Sequence, residues 1–444
     1  MKGAPVGFRS ADAPRRRLVG AIGLAALAAT LGCETLQASA HPELPLWVRH
    51  PGGALNVVLR RQITAEGRIG GEAYEHGRPE IDPVHHRVFV GSSDGGLYAR
   101  RSDDGNAIWR FQTLGPVQSA PLYDPAEDVI YFGSNDGALY KVAARDGALR
   151  WRFMTNAEIA RKPTLQNGIV YVVNANDTIV AIEAKTGKTR WTQHRTPAFG
   201  MEIAGYAGAL VTPERVYVAF SDGHVAAYDP EDGAERWPLV DLSAEVEQIQ
   251  GDLPRYFDVD TTPVYDKTGA GRVVYVASYA GGIFALDAQT GARVWLNDRA
   301  KGVNELVLWE QPAHPPRDGI GPMEPSRKLL LATSGTTGLW AIATDDGRDV
   351  WRRPLPEGGA SAPVAIAGAL LVSTTRYGLF LLSPLDGGVI DGLDISNGLS
   401  MTPAVFGRRA FVMSNGGVLL GIAVEPPVFG RPRDPLAAAS STAP

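Results

Sequence analysis

Short runs of alternating apolar and polar residues, separated by glycine-containing turns, fill most of the chain. One stretch shows the pattern clearly: Val129–Ser134 alternates, Asn135–Gly137 forms a turn signal, and Leu139–Val142 alternates again. Asp146–Gly147 then introduces a third run, which contains Trp151. Alternation with a period of two is typical of strands, and Asn-Asp-Gly and Asp-Gly supply residues that tolerate positive φ in tight hairpins. The pattern predicts consecutive hairpins of short antiparallel strands.

This unit recurs along the chain, which indicates a repeat architecture. Each copy is anchored by a glycine in the last turn, at Gly105, Gly147, Gly187, Gly233, Gly291, Gly347 and Gly387. Six copies carry a tryptophan four residues later, at Trp109, Trp151, Trp191, Trp237, Trp295 and Trp351. An aromatic residue at one fixed offset is what packing between repeats demands, so we interpret these tryptophans as structural. Asp391 takes the tryptophan position in the seventh copy, and we expect that blade to pack differently.

An eighth copy begins at Thr402–Pro403 and stops without its last strand. The segment Ala54–Ile63, ahead of the first full copy, has strand composition and can supply it. The sequence therefore predicts an all-β fold: an eight-bladed β-propeller of four-stranded antiparallel blades over residues 46–425, with its ring closed by an N-terminal strand.

Two long gaps between repeats and the C-terminal end depart from the regular pattern. The acidic stretch 241–256 and the proline-rich stretch 312–325 predict long loops or partly helical inserts. Residues 426–444 are rich in Pro, Ala and Ser, and we expect a disordered tail.

The N-terminus has the three parts of an export signal. Basic residues including Arg15–Arg17 precede an apolar run, Leu18–Leu31, that is too short for an ordinary membrane span. Cleavage is expected either before Cys33 or after Ala40. Because the first site resembles a bacterial lipoprotein leader, we predict a signal peptide at 1–32, lipidation of Cys33 and a tether at 33–45.

Charge excludes one class of partner. The full chain has a formal net charge of −5, and removal of residues 1–32 takes away five basic residues and one acidic residue, leaving −9. A body of this charge repels phosphate backbones, so nucleic acid is not an expected partner.

The repeat in Val274–Trp295 resembles that of pyrroloquinoline-quinone (PQQ) type propellers. A more specific series, Asp258–Val264, Tyr279–Gly282 and Gly302–Glu305, is similar to the BamB family, propeller lipoproteins of the outer-membrane β-barrel assembly (Bam) machine. The resemblance implies a non-catalytic scaffold, lipid-anchored in the outer membrane and facing the periplasm. Its implied partners are the periplasmic domains of the BamA-like barrel-forming subunit and unfolded outer-membrane proteins, whose folding and insertion it assists.

The same resemblance implies two contact regions. One is the aspartate pair that matches Asp258 and Asp260; the other is a loop in which Met201 and Ile203 keep the apolar positions while Ala204 replaces the family's arginine. Residues two apart on an extended segment face the same way, so the aspartates are expected to present paired negative charge. Alternatively, Asp260 caps the turn that it makes with the two threonines that follow it.

Catalysis and general ligand binding are the alternatives to a scaffold. A PQQ- and Ca²⁺-dependent quinoprotein dehydrogenase needs more oxygen ligands than Asp258 and Asp260 offer. His85–His86 is the only histidine cluster, and adjacent strand residues point to opposite faces, so no zinc site is expected. The glycine-rich Thr333–Gly338 lies where other copies have a hairpin turn. No metal or cofactor is predicted. A generic envelope propeller for ligand or protein binding stays open.

Overall fold

A computed structural model describes residues 53–64, 75–197, 207–251, 257–267, 272–316, 321–355, 359–395 and 397–425. The named strands of these ranges form eight four-stranded sheets, and every strand pair within them is antiparallel. We number the sheets as blades in chain order.

The first strand of the chain, β1 (Leu55–Gln62), belongs to the last blade. Blade 1 consists of β2 (Pro79–Asp82), β3 (Arg87–Gly91), β4 (Gly96–Arg101) and β5 (Ala107–Gln112). Blade 2 consists of β6 (Leu122–Asp124), β7 (Val129–Gly133), β8 (Ala138–Ala143) and β9 (Leu149–Met154). Blade 3 consists of β10 (Thr164–Gln166), β11 (Ile169–Asn174), β12 (Thr178–Glu183) and β13 (Thr189–His194). Blade 4 consists of β14 (Leu210–Val211), β15 (Val216–Ala219), β16 (His224–Tyr228) and β17 (Val240–Asp241), which is followed by helix α1 (Leu242–Gln250).

Blade 5 consists of β18 (Val264–Asp266), β19 (Val273–Ser278), β20 (Gly282–Asp287) and β21 (Arg293–Asn297). Blade 6 consists of β22 (Val303–Gln311), β23 (Arg327–Ser334), β24 (Gly338–Ala343) and β25 (Asp349–Arg353). Blade 7 consists of β26 (Val364–Ile366), β27 (Ala369–Thr374), β28 (Gly378–Leu382) and β29 (Val389–Asp394). Blade 8 consists of β30 (Ala404–Phe406), β31 (Arg409–Met413) and β32 (Val418–Val424), with β1 as its fourth strand.

The first strands of neighbouring blades lie in contact with one another, as in the pairs β2 with β6, β2 with β30, and β10 with β14. These strands therefore surround the centre of the ring, and the fourth strands form its outside. β1 pairs with β32 from Leu55 opposite Val424 to Gln62 opposite Val418, so the two ends of the repeat region share one sheet. The predicted eight-bladed propeller and its closure by an N-terminal strand are confirmed.

The core lies between the blades. The middle strands are buried on both faces; all five residues of β7, for example, are buried. Clusters join adjacent sheets, as where Tyr171 and Ile179 of blade 3 pack with Val218 and Phe220 of blade 4. A single sheet could not bury both faces, so each blade depends on its two neighbours for stability.

The repeat tryptophans connect each blade to the next. Every one of them donates a hydrogen bond from Nε1 to a backbone carbonyl of the following blade, at 2.9 to 3.1 Å. The repeat glycine of that following blade lies over the indole: a Cβ on Gly147 would come within 2.8 Å of the Trp109 ring, and one on Gly347 within 2.5 Å of Trp295. Both glycines also have positive φ. The fixed offset between glycine and tryptophan thus reflects one interblade contact, repeated around the ring.

The two blades without this tryptophan adjoin the point where the ring closes. In blade 8, Leu59 pairs with Gly421 at the register position that tryptophan has elsewhere, and Gly105 of blade 1 faces Leu59 and Arg61. In blade 7, the buried Asp391 pairs with Leu381 at the same position.

The two inserts differ in structure. Helix α1 forms within the acidic stretch; the Asp241 carboxylate caps its N-terminus by accepting from the backbone N–H groups of Ser243 and Ala244. Leu242 and Val246 of this helix are buried in the hydrophobic cluster between blades 4 and 5. In the described part of the proline-rich stretch, His314 and Glu324 form an isolated antiparallel bridge. Thr333–Gly338 contains the hairpin turn between β23 and β24, as predicted.

Several predictions fall on residues outside the described ranges: the signal peptide, Cys33, the tether, and the tail 426–444. Among the described residues, none of the helices is long and apolar enough to cross a bilayer.

Candidate functional site

Loops of the propeller divide between two faces of the ring, because the antiparallel strands alternate in direction. We call one the entry face: it carries the segments that lead into each first strand and the turns between second and third strands. Backbone hydrogen bonds join these two kinds of loop, as from the Val117 N–H to the Ser92 carbonyl and from the Tyr279 N–H to the Asp258 carbonyl. The return face carries the remaining turns.

The segment with Asp258 and Asp260 leads into blade 5 on the entry face, but its carboxylates do not form an exposed negative patch. Asp258 is only 6% exposed, and Val259 beside it is fully buried. The Oδ1 atoms of both aspartates are sealed from solvent without a hydrogen-bond partner. The expectation of paired surface charge was therefore wrong, because Asp258 is buried and one oxygen of each carboxylate is sealed from solvent.

Burial changes the acidity of this pair. It raises the pKa of Asp260 to about 7, with the negative charge of Asp258 adding to the effect and the nearby Arg161 opposing it. Burial also raises the pKa of Asp258. The Asp260 carboxyl is therefore partly protonated near neutral pH.

The alternative role of Asp260 as a turn cap finds no support in the hydroxyls that follow it. The Thr261 hydroxyl donates to the Ala277 carbonyl and accepts from the Ala277 N–H, tying the segment to β19. The Thr262 hydroxyl accepts from the Gly208 N–H of the neighbouring blade. Thr261 thus holds the segment to its own blade, Thr262 links it to the neighbouring blade, and neither is a partner of the Asp260 Oδ1.

A bridge of charged side chains crosses the channel beside this segment. Glu305 of blade 6 accepts from Arg78, which precedes blade 1, at 2.6 Å, and lies 3.4 Å from Arg161, which precedes blade 3. Arg161 also donates to the backbone carbonyl of Asp260 at 3.0 Å. Burial alone would raise the pKa of Glu305, but the two guanidinium groups outweigh it and hold this pKa below its usual range. The bridge links residues of four blades across the centre.

Sequence reasoning missed this bridge, although one signal was present. Arg78 stands immediately before the strand-opening Pro79, whereas the corresponding residue before β6 is Ala120. A cation at a position where another repeat has a small residue is not required for packing, and it therefore indicates another role.

The other predicted contact region lies outside the described residues. Met201 and Ile203 fall between β13, which ends at His194, and β14, which begins at Leu210. Their role stays a prediction.

A group of possible metal ligands lies on the return face. Among the described residues, Asp82, His85 and Asp128 bring their ligand atoms within 4.8 Å of one another. The Arg87 guanidinium already lies among them: Nε donates to Asp82 at 2.7 Å, and Nη2 contacts Asp128 and lies 3.1 Å from the His85 ring. With a fixed cation at its centre, this group does not fit a metal ion.

Comparison with known proteins finds similarity to one group of propellers. A family model described as outer membrane protein assembly factor BamB matches residues 93–309. Curated proteins of that name are similar: the chain is 24% identical to that of Legionella pneumophila (strain Paris) over 233 residues, covering 52% of this chain and 54% of the relative. For Yersinia pestis the identity is 26%, over 48% of this chain and 59% of the relative. These matches thus span little more than half of the relatives' length.

Solved structures share the fold over a longer span. The crystal structure of BamB from Moraxella catarrhalis superposes with a TM-score of 0.63 at 18% identity, covering 83% of this chain and 99% of that one. Quinohemoprotein alcohol dehydrogenase from Comamonas testosteroni superposes with a TM-score of 0.59 at 14% identity, covering 85% and 78%. At these identities the structures show the propeller fold, and the similarity to BamB in particular comes from the sequence matches. The chain is a BamB-like β-propeller of the PQQ type.

Proposed function

We propose that this chain is a non-catalytic scaffold lipoprotein of the outer membrane that binds the periplasmic domains of a BamA-like barrel-forming subunit. In this role it assists the folding and insertion of outer-membrane β-barrel proteins, which are a further partner in their unfolded state. The observation that carries the proposal is the match of residues 93–309 to the BamB family, which includes the segment at Asp258 and Asp260 on the entry face.

Residues in and around the channel favour binding over quinone chemistry. The repeat tryptophans lie on or beside the outer strands, and their Nε1 atoms are engaged by the next blade, as with Trp151 and the Ala184 carbonyl. At the channel, Glu305 is bound to two arginines. Among the described residues, Asp258 and Asp260 do not converge with a third acidic or histidine ligand. These residues do not fit a Ca²⁺ and quinone site.

The quinoprotein alternative has a direct test. Titration of the protein with pyrroloquinoline quinone and Ca²⁺, followed by absorbance, is expected to show no saturable binding. Saturable binding with dye-linked alcohol oxidation would overturn the scaffold assignment.

The partner surface is proposed to include the segment at Asp258 and Asp260, together with Met201 and Ile203. Tyr279 offers a reporter for this surface: the residue is 44% exposed, and its backbone N–H donates to the Asp258 carbonyl. An exposed aromatic residue is typical of the centre of protein interfaces. The two aspartates would then act by fixing the shape of the segment that the partner contacts.

Photocrosslinking from inside the cell envelope tests this surface. A photoreactive phenylalanine analogue at Tyr279 is expected to crosslink to the barrel-forming subunit. The same analogue at Val294, which is 53% exposed on the outer strand of the same blade, is the matched control and is expected to give little crosslinking. Absence of the subunit from the Tyr279 products would favour a generic envelope propeller that binds another protein or ligand.

The membrane anchor is proposed to be the acylated Cys33. Cys33→Ser is expected to abolish labelling by radioactive palmitate and to release the protein from the membrane fraction. Unchanged membrane association would point to cleavage after Ala40 and to attachment through partners.

A further inference from the structure

A cavity of about 350 Å³ opens beside the charged bridge. Its wall comes from blades 1 to 5 and the segments that lead into them, and it holds three cationic side chains, Arg78, Arg161 and Lys162. Among the described residues that line it there is no carboxylate. Sites for small ligands commonly have volumes of about 300–1,000 Å³, so this cavity suits a compact ligand.

The three cations are held in place by carboxylates that lie outside the cavity wall. Lys162 binds Glu80 at 2.7 Å, while Arg78 and Arg161 share Glu305. Their side chains keep some exposure: 29% for Arg78, 20% for Arg161 and 42% for Lys162. Because the cations are already ordered, an anion that enters the cavity would lose little free energy to their immobilisation.

The rest of the wall is largely apolar. Leu122, Pro163 and Leu165 line it beside the cations, and Gly208 and Ala209 add backbone and a methyl group. A bare inorganic anion would leave this apolar surface uncovered, whereas a short hydrocarbon skeleton would bury it.

We propose that this cavity binds a carboxylate carried on a short apolar skeleton. Two sources share this chemistry: a free dicarboxylic acid, and a glutamate side chain of a bound polypeptide. The guanidinium groups provide donors that match a carboxylate, and the Lys162 ammonium adds a point charge at the rim. This inference does not depend on the scaffold role proposed above.

Calorimetric titration of the full chain in mild detergent tests the proposal. Glutarate represents the free acid, and acetyl-Ala-Glu-Ala-amide represents the polypeptide side chain. Pentane-1,5-diol has the same skeleton without charge, and inorganic phosphate has charge without a skeleton. We expect saturable binding of glutarate or of the peptide, with both comparison compounds at least about tenfold weaker.

Variants with opposite expected effects separate binding from a loss of folding. Lys162→Gln is expected to weaken binding about tenfold. Glu80→Gln removes the carboxylate that competes with the ligand for Lys162; the gain in positive charge is expected to outweigh the lost ordering of Lys162 and to strengthen binding. Lys188→Gln, at an exposed site on the return face, is the matched control and is expected to change nothing. Thermal unfolding of each variant verifies the fold.

Each outcome decides a point. Binding of glutarate alone identifies a free acid as the ligand, and binding of the peptide alone identifies a polypeptide. Either result supports the proposed cavity site if Lys162→Gln weakens the binding. The proposal is overturned if neither probe binds, if phosphate binds as tightly, or if Lys162→Gln binds as well as Lys188→Gln.

Discussion

The buried carboxylate of Asp391 accepts a hydrogen bond from the backbone N–H of Leu55 at 2.8 Å, across the point where the ring closes. It also accepts from the N–H of Ala54 at 2.7 Å. In six other blades a tryptophan at this position donates to a carbonyl in the last turn of the next blade. Blade 8 has no such turn, because its third and fourth strands come from opposite ends of the repeat region. The start of β1 presents backbone N–H donors at this place, so a carboxylate acceptor stands where the other blades have the tryptophan donor.

Removing this acceptor is expected to weaken ring closure. Asp391→Ala leaves the backbone N–H groups of Ala54, Leu55 and Gly392 without this acceptor and should lower the free energy of unfolding by about 1–3 kcal/mol. Asp391→Asn keeps one carbonyl acceptor and should cost less. Urea unfolding followed by tryptophan fluorescence measures both. Asp394→Ala, at an exposed position of the same strand, is the control; an equal loss there would show that Asp391 does not hold β1.

Alanine variants at two glycines of blade 3 distinguish the cost of backbone strain from the cost of contact with a tryptophan. Gly187 and Gly168 have similar positive φ, 71° and 74°. A Cβ on Gly187 would lie 2.9 Å from the Trp151 ring, whereas a Cβ on Gly168 would meet nothing within 4 Å. Both alanine variants incur the cost of left-handed backbone, about 1–2 kcal/mol. Gly187→Ala should lose about 1–3 kcal/mol more, because the indole must move.

The difference between these two variants, measured by thermal unfolding, isolates the interblade contact. Equal losses at the two sites would mean that the indole shifts without cost. The repeat glycine would then be retained for its backbone conformation alone.

The charged bridge makes Glu305 more important for stability than its position on a strand suggests. Glu305→Gln leaves Arg78 and Arg161 without the carboxylate that they share, and we expect a loss of about 3 kcal/mol. Arg161→Gln should cost less, because the ion pair between Arg78 and Glu305 survives. Glu310→Gln, at an exposed position of the same strand, is the control. Guanidinium salts screen ion pairs, so urea is the denaturant to use.

The sequence predicted those features that repeat. The blade count, the role of tryptophans such as Trp191, and closure by the segment around Leu55 all follow from alternation, turn residues and a constant offset, which are local and recur many times. The bridge of Arg78, Arg161 and Glu305 could not be predicted, because it occurs once and joins residues up to 227 positions apart. The burial of Asp258 was missed for a related reason: the direction of a side chain in a connecting segment depends on the neighbouring blades.

The raised pKa of Asp260 gives stability a specific dependence on pH. Its pKa rises from 3.8 to about 7 on folding, so the folded protein retains a proton that the unfolded chain has lost. The contribution to stability is therefore complete below about pH 4 and is lost as pH rises through about 7. Above that pH, an ionised carboxylate with a sealed Oδ1 destabilises the fold.

Asp260→Asn removes this ionisation while keeping the shape of the side chain, so its effect should change with pH. Relative to the wild type, the variant should gain about 2 kcal/mol in free energy of unfolding between pH 5 and pH 8. This gain is somewhat less than about 1.36 kcal/mol for each unit of pKa shift would give, because Asp260 is only half-buried. Urea unfolding at both pH values measures the gain. Asp298→Asn, exposed in the same blade, should show none. A pH-independent difference at Asp260 would contradict the raised pKa of this carboxyl and would mean that the charge of Arg161 outweighs the effect of burial.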